Sequence, residues 1–438
     1  MNLSVEPVPA IAGSVTLPAD KSISHRAALF AAMAEGESEI VGFSDAVDPH
    51  STLACLRAFG VGITEKDDSL KVTSRGLRGW RAPSGPLDCG NSGTTMRLLA
   101  GLLAGQRFET TLLGDASLSA RPMARIANPL REMGAELTMT DGHAPLTLRP
   151  RRLIGMTYEL PMASAQVKSC VLLAGHLADG TTTVVEPVPT RDHTERLLGL
   201  DTLDIGGVRH ISVEGGRTVK PGLWVVPRDV SASAFFLVAA SILENATLEM
   251  ASVGLNPTRA AIIDVLRAMG ADIQITNERE RNREPLADLR VYAPSGGLVG
   301  IELGGAIIAN LIDEIPVLAV AAALADGPTT IRDAGELRVK ETDRIAATAT
   351  MLRAFGVEVI EREDGMTIHG RGRTLLRGGQ TVESVHDHRI AMAAGVAALA
   401  ADAPTTIRDA DAARISFPTF WTQLSAVAGG QIVSEVPS

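Results

Sequence analysis

A short signal, Leu-Arg-x-x-Gly followed by a small apolar residue, recurs along this chain and restricts its fold more than any other feature. It stands at Leu56-Arg57-Ala58-Phe59-Gly60-Val61, Leu130-Arg131-Glu132-Met133-Gly134-Ala135, Leu266-Arg267-Ala268-Met269-Gly270-Ala271 and Leu352-Arg353-Ala354-Phe355-Gly356-Val357. Weaker copies are Arg196-Leu197-Leu198-Gly199 and Leu424-Ser425-Ala426-Val427-Ala428-Gly429. The spacing averages roughly 70 residues, beyond the period of about 20–50 usual for solenoids. Glycine ends each copy because, lacking Cβ, it can close a helix in the left-handed conformation.

The segments around each copy follow one order. Small-residue helices are predicted over 24–34, 94–104, 167–178, 231–243, 316–325 and 389–401. Short β-branched strands follow several of them, at 110–112, 181–185, 329–331 and 405–407. A second helix then ends in the Leu-Arg-x-x-Gly signal, and a further strand follows, as at 136–140, 272–276 and 358–361. Six such units cannot each bury both helix faces alone. The expected fold class is α/β, with the small-residue helices packed inside and the strands in outer sheets. The Pro-containing stretches Pro18-Ala19-Asp20 and Val226-Pro227-Arg228-Asp229 are the expected crossings between two groups of three units. One lobe then spans 21–227; residues 1–20 with 228–438 make the other, with a hinge near 18–21 and 226–229.

Cations gather at the predicted helix starts. Lys21-Ser22-Ile23-Ser24-His25-Arg26 opens the first small-residue helix, where free backbone N–H groups already favour anions. Asn91-Ser92-Gly93-Thr94-Thr95-Met96-Arg97 opens the second, and Gly93 lets a ligand approach the backbone. Ser119-Ala120-Arg121-Pro122 places an arginine before another helix, and Ser164-Ala165-Gln166 opens the third with neutral donors. Asp313-Glu314 precedes the fifth and Asp387-His388-Arg389 opens the sixth. The run Glu336-Leu337-Arg338-Val339-Lys340-Glu341-Thr342-Asp343-Arg344 is predicted to open a helix over 342–355. A cleft lined by Lys21, Arg26, Arg121, Lys340, Arg344 and Arg389 suits strongly anionic small molecules, with Asp313 and Glu341 as proton-transfer groups.

Composition removes other classes. Of 438 residues only 3% are aromatic, and the formal net charge is −10. Nucleic acid is therefore not an expected partner, since its binding needs a basic face and stacking rings. Cys55, Cys89 and Cys170 are too widely spaced for a zinc motif and fit a reducing compartment. No metal is expected at His386-Asp387-His388, which lacks a third ligand at a familiar spacing. Residues 1–10 show no signal-peptide pattern, and no apolar run is long enough to span a membrane, so a cytoplasmic location is expected. There is no phosphate-binding G-x-x-x-x-G-K-[ST] loop and no dinucleotide fingerprint.

The ordered set Asp20–Arg26, Gly90-Asn91-Ser92-Gly93-Thr94, Ala120-Arg121-Pro122-Met123, Ala163-Ser164-Ala165-Gln166, Asp313-Glu314, Arg338–Arg344 and Asp387-His388-Arg389 strongly resembles the 5-enolpyruvylshikimate-3-phosphate synthase family over almost the whole chain. The resemblance implies two lobes of three βαβαββ-type units each, an inside-out α/β barrel. It implies transfer of the enolpyruvyl group of phosphoenolpyruvate to the 5-hydroxyl of 3-phosphoshikimate, with no cofactor, in a monomer of the shikimate pathway. Matched position by position, Lys21, Ser22, Arg26, Ser164, Ala165, Gln166, Arg191, Asp313 and Lys340 are the implied 3-phosphoshikimate contacts. Lys21, Gly93, Arg121, Gln166, Arg344 and Arg389 are the implied phosphoenolpyruvate contacts. Asp313 is similar to the family's base, Glu341 to its acid, and Lys21 to a proton partner.

The chain departs from the family pattern at Arg414, where many members carry Lys, and at Leu98 and Ser92, where many carry Pro and Ala. Gly93 is the small residue whose replacement by Ala is linked to weaker glyphosate binding; Leu98 points the other way, and inhibitor sensitivity stays open. The nearest rival is the sister transferase acting on UDP-N-acetylglucosamine, marked by Lys-Asn and an upstream Cys where this chain has Lys21-Ser22 and Asp115. A rival of another class is a non-catalytic repeat scaffold for a phosphorylated metabolite, which would lack the carboxylates Asp313 and Glu341.

Overall fold

The computed structural model describes residues 1–66 and 68–436. The chain separates into two compact units. A central unit comprises Ala19–Pro227 with Arg281–Glu284; a terminal unit comprises Met1–Pro18, Arg228–Glu280 and Pro285–Ser438. Each has its own continuous apolar core. The small insertion 281–284 departs from the expectation that 228–438 all lies in one lobe. It is the turn of a hairpin between strands Asp272–Arg281 and Glu284–Tyr292. Within the central unit, the Asn282 carboxamide accepts from Val225 N (2.8 Å) and donates to Leu223 O (2.9 Å).

The six small-residue helices form as Lys21–Met33, Gly93–Leu103, Ala165–Gly175, Val230–Ile242, Ile315–Ala323 and His388–Leu399. They are apolar nearly all round, the pattern of a helix surrounded by protein. All nine residues of Ile315–Ala323 and all twelve of His388–Leu399 are buried. Alanine and glycine let the helices approach closely. A Cβ on Gly101 would lie 2.3 Å from the carbonyl oxygen of Cys170 on the neighbouring helix.

Among the described residues, six four-stranded sheets stand outside these helices, three in each unit. Each inner helix packs on the sheet of its own repeat. All six sheets share one pattern: an outer strand runs parallel to the first repeat strand, and the next two pairings are antiparallel. The same holds in the terminal unit. Two sheets are completed from far along the chain. Leu223–Val225 pairs with Glu35–Val41 in the first repeat, and Asn2–Val5 lies between Thr405–Arg408 and Val433–Val436 in the last.

The recurring signal is a helix stop, and its arginine has a further use. Gly60, Gly134, Gly270 and Gly356 have φ of 85°, 96°, 104° and 78°, a region only glycine enters without strain. The next residue's N–H returns to the Leu carbonyl in every copy, at 2.9–3.2 Å, and the glycine N–H bonds the Arg carbonyl. The Arg131, Arg267 and Arg353 side chains each donate to a carbonyl six residues on, at Leu137, Ile273 and Val359, and so tie each helix to the strand that follows.

Candidate active site

In the central unit, the predicted residues lie on the first turns of the three inner helices. Asp20 caps the first, its Oδ1 accepting from Ile23 N at 2.8 Å, so that helix begins at Lys21 and not at Ser24. Lys21 Nζ lies 3.1 Å from Asp48 Oδ2. His25 beside it is buried with Nδ1 2.7 Å from Thr52 Oγ1; burial, reinforced by the charges of Lys21 and Arg26, drives its pKa well below 6.5. It is a neutral, structural imidazole. Arg26 is 3% exposed. Its guanidinium donates to Thr194 Oγ1 (2.7 Å), Ser169 Oγ (3.0 Å) and Ser22 O (3.1 Å), all neutral oxygens.

Ser92 caps the second inner helix, accepting from Thr95 N at 3.1 Å. Gly93 sits beneath two guanidinium groups: a Cβ there would lie 3.2 Å from Arg97 Nη1 and 3.5 Å from Arg121 Nη1. Arg121 donates to Asn91 Oδ1 at 2.6 Å and to Ser117 Oγ at 3.2 Å. Ser164 caps the third helix, accepting from Val167 N at 3.4 Å. Gln166, one residue past Ala165, is fixed from both ends. Arg97 donates to its Oε1, and its Nε2 donates to Thr94 Oγ1 at 3.1 Å. Arg191 is half-buried and near enough for its charge to act on Arg26.

In the terminal unit, the charged run does not open its helix where the sequence suggests. Gly335–Val339 forms a short 3₁₀ turn, and the helix runs Arg344–Ala354 with Asp343 as cap, accepting from Ala346 N at 3.0 Å. The cap moves the start two residues on, so Lys340 and Glu341 lie in the linker between the two turns. Arg344 is buried and surrounded by carboxylates. Its Nε is 2.8 Å from Asp387 Oδ2, its Nη2 is 2.6 Å from Glu341 Oε2, and its Nη1 is 3.2 Å from Asp313 Oδ1. Burial alone would lower its pKa; Asp387, Glu341 and Asp313 reverse the shift and raise it, so it stays charged. Lys340 Nζ stands 3.7 Å from the same Asp313 oxygen. Arg389 donates to Asp313 O (2.6 Å) and Ser231 Oγ (2.8 Å).

Four supporting groups, three of them inside the quoted motifs, had been given no role of their own by the sequence. Arg97 lies one helical turn after Gly93, a spacing that places both on one face and was its only signal. Asp387 is the buried counter-ion of Arg344 as well as a cap, accepting from Arg389 N at 2.8 Å. Ser231 and buried Glu314 are hydrogen-bonded to each other and flank Arg389, whose Nη1 is 3.6 Å from Glu314 Oε1. Among the described residues, no group of three or more His, Cys, Asp or Glu is arranged to hold a metal ion, and no helix is long and apolar enough to cross a membrane.

A pair of three-repeat units with sheets outside and polar helix starts carrying fixed cations defines the enolpyruvyl-transferase class of α/β fold. The enolpyruvyl transferase NikO from Streptomyces tendae shares it, with a TM-score of 0.77 over 97% of both chains at 20% identity. A model of the family EPSP synthase (3-phosphoshikimate 1-carboxyvinyltransferase) matches residues 5–424. The 3-phosphoshikimate 1-carboxyvinyltransferase of Salinibacter ruber is 54% identical over 97% of this chain and 99% of its own length. That of Alkalilimnicola ehrlichii is 51% identical over 98% and 96%. An EPSP synthase structure from Acinetobacter baumannii superposes with a TM-score of 0.88 at 43% identity, covering 99% of each chain. The chain belongs to the EPSP synthase family.

Proposed function

We propose that the chain transfers the enolpyruvyl group of phosphoenolpyruvate to the 5-hydroxyl of 3-phosphoshikimate and releases inorganic phosphate. Family membership sets the reaction, and the surroundings of Arg344 support this division of labour most directly. One guanidinium, held on its far side by Asp387, touches both Asp313 and Glu341, the two carboxylates the chemistry needs.

Phosphoenolpyruvate is taken by Lys21, Arg121, Gln166, Arg344 and Arg389, with Gly93 leaving room over the backbone. 3-Phosphoshikimate is taken by Lys21, Ser22, Arg26, Ser164, Ala165, Gln166, Arg191, Asp313 and Lys340. Arginine forks match carboxylate and phosphate oxygens in pairs, which a lysine cannot do. Asp313, paired with Arg344 and Lys340, accepts the proton of the 5-hydroxyl as that oxygen bonds to C2 of phosphoenolpyruvate. Glu341 delivers a proton to C3. An arriving substrate carboxylate competes with Glu341 for Arg344; released among anions, Glu341 gains proton affinity. Loss of a C3 proton and departure of phosphate then restore the double bond. Lys21 serves as the proton partner beside the reacting carbons. The same reading takes the protein as a cytoplasmic monomer that needs no cofactor.

The test is direct. Purified protein mixed with 3-phosphoshikimate and phosphoenolpyruvate, without added metal, releases inorganic phosphate and forms the enol ether. Silence with this pair and turnover with UDP-N-acetylglucosamine would replace the reading by that of the sister transferase.

A further inference from the structure

Behind Arg26 and Arg191 lies a charged cluster that none of the assigned roles uses. Lys168 is completely buried on the third inner helix, and its Nζ lies 2.8 Å from Glu186 Oε1 and 2.7 Å from Glu195 Oε1. Both carboxylates are buried as well. Taking three charges out of water costs more than the pairing returns in most settings, so such a cluster is poorly explained by stability alone. Its position suggests another use.

The cluster grips the segment that carries Arg191. Glu186 accepts from Thr190 N at 3.0 Å and from the Thr190 hydroxyl, while Lys168 Nζ lies 3.5 Å from Thr190 O. The residue just before Arg191 is thus held at its N–H, its carbonyl and its side chain. On the other side, Glu195 adjoins Thr194, whose Oγ1 accepts from Arg26 Nε and is 2.7 Å from Ser169 Oγ. Ser169 follows Lys168 on the same helix turn. One buried group therefore reaches both arginines through single intervening residues.

Among the described residues, no carboxylate forms an ion pair with Arg26; every hydrogen-bond acceptor it meets is neutral. Burial pulls its pKa down to about 10, Glu195 and Asp20 hold it up, and Arg191 pushes it down again.

We propose that Lys168, Glu186 and Glu195 are positioning residues that fix the segment carrying Arg191 and, through Thr194, the Arg26 guanidinium, for the phosphorylated acceptor substrate. This rests on the reading of the acceptor as 3-phosphoshikimate. The segment carrying Arg191 discriminates phosphorylated from unphosphorylated acceptor, and the cluster sets that discrimination without touching the ligand.

The experiment compares 3-phosphoshikimate with shikimate, by calorimetric binding and by KM, in the full chain. Wild-type protein that binds both equally would overturn the acceptor assignment itself. With that preference established, Glu186→Gln and Thr190→Val are measured; the latter removes one bond of the grip and leaves the ion pairs intact. Each raises the KM for 3-phosphoshikimate, by about tenfold for the loss of one buried charge partner. The KM for phosphoenolpyruvate and kcat stay within about twofold of wild type, a factor too small to reflect a lost polar contact. Lys168→Arg, which keeps the charge, retains more of the preference than Lys168→Met. Equal rises in both KM values, or a folded Thr190→Val protein with an unchanged preference for the phosphorylated acceptor, would overturn the positioning role.

Discussion

Arg344 and Asp387 are joined at 2.8 Å with 1% and 0% of their side chains exposed, and Asp387 also caps the helix carrying Arg389. One carboxylate thereby fixes the directions of two arginines that the family resemblance assigns to phosphoenolpyruvate.

Asp387→Asn keeps the cap's shape and removes its charge. Breaking a buried pair typically costs about 3–5 kcal/mol, and the lower end is expected here because Asp313 and Glu341 still face Arg344. Burial would raise the Asp387 pKa, but Arg344 outweighs it and the native value lies below 3.8. A depressed native pKa contributes stability that is complete above 3.8 and is lost as pH falls through the native value. Denaturant titrations at pH 7 and in the acid range check both points: the variant is weaker at pH 7 and has a shallower acid loss.

Gly93→Ala puts a methyl group against the tips of Arg97 and Arg121, at 3.2 and 3.5 Å. Both are flexible side-chain ends that can give way, so stability falls by less than about 1 kcal/mol. The displaced guanidinium groups no longer meet the ligand squarely. Steady-state kinetics should show a several-fold or larger rise in the KM for phosphoenolpyruvate, with a smaller change for the acceptor.

Glu341→Gln keeps size and hydrogen bonding but carries no transferable proton. The loss should fall on kcat, by about 10²–10⁴-fold, the usual range for a general acid or base. Ligand affinities measured by calorimetry should change far less. A variant that loses affinity but turns over normally at saturation would place Glu341 in binding alone.

Gly101→Ala tests the packing of the inner helices. The new Cβ would meet the Cys170 carbonyl at 2.3 Å, and a backbone atom cannot rotate away. Overpacking of this kind costs about 1–3 kcal/mol or more. The denaturation midpoint should fall, and kcat for the protein that remains folded should change little.

The repeat was legible because its signal is chemical and local: a glycine in the left-handed region after every second helix, and helices of small residues between. Helix ends shifted by one to three residues wherever a cap decided them. Asp20 starts the first inner helix before Ser24, and Asp343 delays the helix of Arg344. The pairing of Asn2–Val5 with Val433–Val436 carries no local pattern, since both strands would look the same beside any neighbour. The cations were legible as motifs, but their surroundings were not. Arg344 was legible as a cleft cation but its burial was not, because that depends on Asp313, Glu341 and Asp387 converging on it from separate segments. Nothing local marks Lys168 for burial, because its two partners, Glu186 and Glu195, lie in later segments.

The interleaving of Asn2–Val5 with the last repeat has a temporal consequence. On the ribosome, Asn2–Val5 emerges roughly 400 residues before Thr405–Arg408 and Val433–Val436 exist to flank it, so its edges wait while those residues are made. The first sheet of the central unit is complete once Leu223–Val225 has left the exit tunnel. Synthesis thus gives the middle of the chain a head start, while Asn2–Val5, made before it, finds its neighbours only after it.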